Sequence, residues 1–250
     1  MNVRKMWGYV LPVSLGVIAA VAIGTGSNAT AAAGMKPLKI GIIGTGNIGG
    51  ALATHWARAG HELLLSSRHP EELQALAKSL GSLGVGEVRV GTPQEAAAFG
   101  DVILLSVPYG ATPQIGKDLA STWKGKIVLD TGNPYPQRDG DMAVEARKQG
   151  TGVASAAFLP GVRLVRAFNA IAWKALRDES NRAGEKYAIP LAGNDAEALA
   201  VAERLVRDAG FDPVVVGDLS HAKDFDVGTA VYVKLQSAPE LRKALGLPPK

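Results

Sequence analysis

Between Lys39 and Gly50 the chain reads Lys-Ile-Gly-Ile-Ile-Gly-Thr-Gly-Asn-Ile-Gly-Gly, an apolar run that breaks into Gly44-x-Gly46-x-x-Gly49 and then enters the helix-forming stretch Ala51 to Arg58. Few local patterns restrict a fold so tightly. Gly44 admits a tight turn, Gly46 lets the backbone approach a pyrophosphate, and Gly49 allows a helix to pack closely on a strand. The first turn of that helix then directs unpaired N–H groups at the phosphates. Glycines alone would also suit a packing turn that binds nothing. Here a strand precedes them, a helix follows, and a second apolar strand lies at Glu62 to Ser66, so the context predicts a dinucleotide site at Gly44, Thr45, Gly46, Asn47, Ile48 and Gly49.

The end of the second strand discriminates between nicotinamide cofactors. A site for NAD places Asp or Glu about 20 residues beyond the glycines to accept from the ribose 2′-OH. This chain instead reads Leu64-Leu65-Ser66-Ser67-Arg68-His69, with no acid. Ser67 offers a hydroxyl and Arg68 a permanent guanidinium fork, so the pair is expected to bind the 2′-phosphate of NADP. His69 either adds to that contact or caps the helix expected from Pro70.

Strand and helix patterns alternate beyond Met35 at the pace of a parallel α/β sheet. Strands are expected at Lys39 to Ile43, Glu62 to Ser66, Glu87 to Val90, Val102 to Ser106, Lys126 to Asp130, Arg163 to Ala167, Tyr187 to Leu191 and Pro213 to Val216. Helices are expected at Asn47 to Ala59, Pro70 to Leu80, Thr92 to Phe99, Ala111 to Ser121, Ala196 to Asp208 and Ala238 to Leu245. Right-handed crossovers make this a Rossmann-like, doubly wound α/β fold: an NADP-binding part over residues 35–180 and a C-terminal extension over 181–250 that continues the sheet. Ligands then bind at the carboxyl ends of the strands. Ser106-Val107-Pro108 follows the fourth strand as a candidate rigid wall, and Asn133, after the fifth, is a candidate partner for a carboxamide or substrate.

Residues 1–34 form a separate leader. Met1 to Lys5 is basic, Trp7 to Gly24 is uncharged and largely apolar, and Ala29-Thr30-Ala31 or Ala31-Ala32-Ala33 offers small-residue cleavage sites. A cleaved signal implies a periplasmic or secreted protein; a membrane anchor and a true start at Met35, which would imply the cytoplasm, are the other readings. The formal charge of +4 includes Arg4 and Lys5 of this leader, and no basic run with interleaved aromatics supports nucleic-acid binding. No His, Cys or carboxylate spacing points to a metal.

Gly44 to Ala51, Ser67-Arg68, Ser106-Val107-Pro108, Leu164 to Ala170 (Leu-Val-Arg-Ala-Phe-Asn-Ala) and Pro190-Leu-Ala-Gly-Asn-Asp195 together resemble the NADP-dependent coenzyme F-420 oxidoreductase family. The likeness spans nearly all of Met35 to Leu247. It implies NADP as cofactor, a deazaflavin (F-420) or flavin as co-substrate, and often a homodimer. It places the phosphate pair at Ser67 and Arg68, the wall at Val107 and Pro108, and the flavin-side loop near Phe168, Asn169 and Ala170. Two segments depart from the family: the extended loop Asn133 to Asp141 and the polar tail from His221 onward.

Direct hydride transfer needs orientation and water exclusion more than a proton relay. In keeping with that, no residue stands out as an acid or base, and His221 reads as a solvated turn residue. The alternatives are an imine or hydroxy-acid reductase, whose families normally append a large helical domain, and a sensor that holds NADP without turning it over.

Overall fold

Apolar side chains alternate along each inner strand, and this period of two fixes which helices cover which face. β1 (Lys39–Ile43) sends Ile40 and Ile42 to one side and Ile43 to the other. β2 (Glu62–Ser66), β4 (Val102–Leu105) and β5 (Ile127–Asp130) divide in the same way, with Leu65, Leu104 and Leu129 facing one layer and Leu64, Leu105 and Val128 the other. The computed structural model describes residues 36–84 and 86–249; the expected leader over residues 1–34 lies outside them. Among the described residues no helix is long and apolar enough to cross a membrane.

β3 (Val88–Gly91), β6 (Arg163–Arg166), β7 (Ala188–Gly193) and β8 (Asp212–Gly217) complete one sheet, in the order β3-β2-β1-β4-β5-β6-β7-β8. The first six strands are parallel, as the doubly wound reading requires. On one face lie α1 (Asn47–Arg58) and α9 (Ala196–Asp208); on the other lie α3 (Pro93–Phe99) and α4 (Thr112–Leu119). α2 (Gln74–Gly81) follows a 3-10 turn over Pro70–Leu73. His69 precedes that turn without a side-chain cap, so the capping role considered for it is absent.

β7 runs antiparallel to β6, pairing Val165 with Gly193 and Arg166 with Ala192, and β8 runs parallel to β7. The register pairs β7 with β6 near the end of both strands. The opening residues of β7 therefore stand beyond the carboxyl end of β6, and the C-terminal extension rises past the edge where ligands bind. Pro190-Leu-Ala-Gly-Asn-Asp195 is β7 running into α9. Asp195 caps that helix by accepting from Ala198 N at 2.8 Å and is gripped by Arg163, while Asn194 Oδ1 accepts from Leu219 N at 2.9 Å.

Three stretches differ from expectation. The loop from Asn133 to Asp141 contains a helical turn, α5 (Pro136–Asp139), followed by α6 (Asp141–Gln149) and α7 (Thr151–Phe158). α8 (Trp173–Asp178) packs on α1 through a 2.8 Å bond between His55 Nε2 and the Leu176 carbonyl. The tail from His221 is not simply polar: Ala222, Phe225, Val231 and, from α10 (Ala238–Ala244), Leu241 are buried together against Val214 and Val216.

Candidate active site

The three glycines are distinct in their surroundings. Gly44 sits at φ +95°, and a Cβ there would lie 2.3 Å from the Ser106 carbonyl oxygen. A Cβ on Gly49 would lie 2.2 Å from the Gly44 oxygen, so helix and turn touch. At Gly46 the same atom would meet nothing within 4 Å. That empty space adjoins the N-terminus of α1, which has no side-chain cap and no acid in its first turn. Unpaired N–H groups and a positive dipole end are thus presented to solvent with room for an anion.

Backbone bonds hold the end of β2 against this turn. Gly44 N and Thr45 N both donate to the Ser66 carbonyl, at 3.0 and 3.1 Å, and Thr45 Oγ1 donates to it as well. Ser67 and Arg68 follow directly, beside the glycine turn. Ser67 Oγ accepts from His69 N at 3.0 Å, and Arg68 is exposed with no ion pair or hydrogen bond to its side chain among the described residues.

A cavity of about 500 Å³ opens at the carboxyl ends of β1, β4, β5 and β6. Gly46, Asn47 and Ile48 line it from α1, and Ser106, Val107 and Pro108 from the segment after β4. Asn133, after β5, and Asn169, after β6, complete the expected residues found there. Gly44, Thr45 and Gly49 form the turn beneath, while Ser67 and Arg68 stand outside the cavity lining. Its size lies within the range usual for small-molecule sites.

Phe168 and Asn169 give physical content to the Ala-Phe-Asn motif. Phe168 is buried at φ +59° and meets Trp56 edge to face, with ring centroids 6.2 Å apart. A left-handed backbone costs a residue other than glycine about 1–2 kcal/mol, and packing against Trp56 opposes that cost. Asn133 Nδ2 donates to the Asn169 carbonyl at 2.8 Å, and Asn169 Nδ2 donates to the Phe225 carbonyl at 3.4 Å. The carbonyl partners fix each amide's orientation, leaving Asn133 Oδ1 and Asn169 Oδ1 buried with no donor. Such an orphaned acceptor costs about 1–3 kcal/mol until something donates to it.

Sequence reasoning missed the far wall, which Tyr135, Trp173, Tyr232 and Val233 provide. Tyr135 Oη and Tyr232 Oη are 2.5 Å apart. Val233 N donates to the Ala170 carbonyl at 2.9 Å and fixes the Tyr232 segment over the β6 loop. Asp139 anchors the Tyr135 segment by accepting from Tyr135 N, Gly110 N and the Arg138 fork. Burial alone would raise the Asp139 carboxyl; these donors and the Arg138 charge bring it below its ordinary range.

At the end of β6, Arg166 is wholly buried between two acids. Its Nη1 donates to Asp130 Oδ2 at 2.8 Å, and its Nη2 lies 3.5 Å from Asp226 Oδ1. Asp226 also accepts from Thr151 N at 2.8 Å, so the cluster ties β5, β6, α7 and the C-terminal tail together. Among the described residues there is no group of His, Cys, Asp and Glu that could hold a metal. His221 is exposed beside Asp224, at 3.0 Å.

The family of NADP oxidoreductases described as coenzyme F420-dependent matches residues 39–134. An F420-dependent NADP reductase of Methanothermobacter thermautotrophicus is 30% identical over 217 residues, covering 83% of this chain and 93% of the relative. The metalloreductase STEAP3 of Rattus norvegicus is 27% identical over 212 residues; the match covers 84% of this chain and 40% of that longer protein. A solved hypothetical protein from Sinorhizobium meliloti superposes with TM-score 0.66 at 25% identity, covering 81% of this chain and 96% of the other. The chain belongs to the coenzyme F420-dependent NADP oxidoreductase family and is an NADP-dependent oxidoreductase.

Proposed function

We propose that the protein passes hydride between NADP(H) and a flavin- or deazaflavin-type acceptor. The nucleotide runs along the glycine turn, with its 2′-phosphate on Ser67 and Arg68 and its nicotinamide in the cavity. The space at Gly46 carries this reading: a side-chain position next to an uncapped helix start meets no protein atom within 4 Å. Bound NADPH supplies a hydride from nicotinamide C4. Val107 and Pro108 give the ring a rigid wall, and Asn133 Oδ1 and Asn169 Oδ1 accept from its carboxamide N–H₂. The acceptor then stacks toward Trp173, Tyr135 and Tyr232 and displaces water from the cleft as it binds.

The same proposal assigns nucleotide binding to residues 35–180, closure of the acceptor side to 181–250, an export leader to 1–34, and a homodimer to the whole. N-terminal sequencing of the mature protein tests the leader, and sedimentation tests the dimer. The main test is NADPH oxidation with a panel of 8-hydroxy-5-deazaflavin, free flavins and 1-pyrroline. Turnover with a deazaflavin or flavin supports the proposal. Turnover with 1-pyrroline alone identifies an imine reductase instead, and tight NADPH binding with no oxidation identifies a sensor.

A further inference from the structure

The cavity holds a pair of phenols that simple hydride transfer does not require. Tyr135 Oη and Tyr232 Oη lie 2.5 Å apart although 97 residues separate them in the chain. Asn133 Nδ2 reaches Tyr232 Oη at 3.5 Å, and its orientation is fixed by the Asn169 carbonyl. One bond between two hydroxyls spends only one of the two protons; in the arrangement in which Tyr232 donates and its oxygen accepts from Asn133, the proton left over belongs to Tyr135. The Tyr135 proton then has no acceptor among the described residues, although its side chain lines the cavity. Tyr135 is half-buried, and a hydroxyl proton left over at the wall of a binding cleft is placed to donate to a ligand acceptor.

We propose that Tyr135 is the hydrogen-bond and proton donor to the hydride acceptor, and that Tyr232 is its positioning residue. This rests on the reductase reading given above. An acceptor with a C=N bond or a conjugated ring nitrogen takes hydride at carbon and leaves an electron pair on nitrogen. The Tyr135 O–H bond breaks as the N–H bond forms. The resulting phenolate is stabilised by the Tyr232 O–H across the short bond and takes its proton back from solvent, while Tyr232 keeps its own. The sum is one hydride from NADPH and one proton from water, with the tyrosines unchanged. Burial, the bond to Tyr135 and the charges of Tyr135 and Asp226 push the Tyr232 phenol well above its ordinary range, so it remains protonated in neutral solution. Arg138 lies over the Tyr135 ring, 5.1 Å from its centroid, with its charge paired to Asp139.

The test uses the full chain and its Tyr135→Phe and Tyr232→Phe variants. NADPH affinity is read by nucleotide fluorescence and 8-hydroxy-5-deazaflavin affinity by quenching of that chromophore. Single-turnover rates are taken in H₂O and D₂O. Tyr135→Phe should bind NADPH within about twofold of wild type, bind the deazaflavin about tenfold more weakly, react at least about 100-fold more slowly and lose the solvent isotope effect. Tyr232→Phe should slow the reaction about tenfold and keep the isotope effect, since the donor is still present. Unchanged rate and deazaflavin affinity in Tyr135→Phe overturn the proposal, as does a parallel loss of NADPH affinity, which would indicate a structural role. A wild type that binds NADPH but oxidises it with no acceptor removes the reductase reading, and this inference falls with it; a wild type that reduces only free flavins, which take hydride at nitrogen, overturns the inference alone. Failure of the wild type to bind NADPH removes the reductase reading first, and this inference with it.

Discussion

Replacing each motif glycine by alanine, one at a time, should separate ligand room from fold room. At Gly49 the new methyl would stand 2.2 Å from the Gly44 carbonyl oxygen, backbone against backbone, so neither side yields cheaply. Overpacking of this kind costs about 1–3 kcal/mol, which in a domain of this size lowers Tm by about 2–4 °C per kcal/mol; the backbone clash places Gly49→Ala near the upper end, at a loss of about 6–12 °C. Gly44→Ala meets the Ser106 oxygen at 2.3 Å and adds the strain of φ +95°, a further cost of about 1–2 kcal/mol. Gly46→Ala meets no atom, and its backbone, at φ −86° and ψ −151°, suits any L residue. It should cost about 1 kcal/mol or less, from the weaker helix cap alone. The same methyl occupies the space assigned to the pyrophosphate, so NADPH affinity should fall at least about tenfold, or ~1.4 kcal/mol. Thermal melts and NADPH titrations of the three variants read both quantities. A Gly46→Ala protein that binds NADPH like wild type, or a Gly49→Ala protein that melts with it, would refute the reasoning.

Arg68→Ala should raise KM for NADPH at least about tenfold and leave that for NADH nearly unchanged, by loss of a charge-assisted contact worth about 1.5–3 kcal/mol; equal loss for both cofactors would remove its phosphate role. Arg166→Met strands Asp130 and Asp226 without a countercharge, at a cost of about 3–5 kcal/mol. That should appear as a drop of about 6–20 °C in Tm, and a wild-type melt would contradict the buried ion cluster. His55 is held below its ordinary value of 6.5 by burial, with the Leu176 carbonyl bond opposing and the Arg58 charge adding to the shift. The unfolded chain protonates His55 near pH 6.5 before the folded one does. Its contribution is therefore complete above that pH and is lost as pH falls toward the lower folded value. Between pH 7.5 and 5.5 the urea midpoint of wild type should fall more than that of His55→Gln; identical slopes would refute the assignment.

Local chemistry made much of the fold legible. The inner strands were set by short, nearly continuous apolar runs with turn residues at their ends, and β1 to β6 follow those signals closely. α7 escaped because Thr151 to Phe158 is a run of small residues with little helical periodicity. α5 and α6 escaped because Asn133-Pro-Tyr-Pro and Gly140 read as loop punctuation; only the fold brings Asp139 to the backbone of Tyr135 and Gly110. The reversal at β7 has no local signal at all. At the site, every expected lining residue lies one to three positions beyond a strand end or in the first turn of α1, where topology alone predicts a ligand edge. The far wall could not be read in that way. Tyr135 and Tyr232, like Arg166 and Asp226, meet only after the tail folds back over the β6 loop, and neither spacing nor composition encodes that contact.

Isothermal titration of the full chain with NADPH and with NADH tests the central claim most directly. Saturable one-to-one binding of NADPH, at least about tenfold tighter than that of NADH, is the expected result. Equal affinity for the two would contradict the role of Ser67 and Arg68, and no heat from either would contradict the nucleotide site itself.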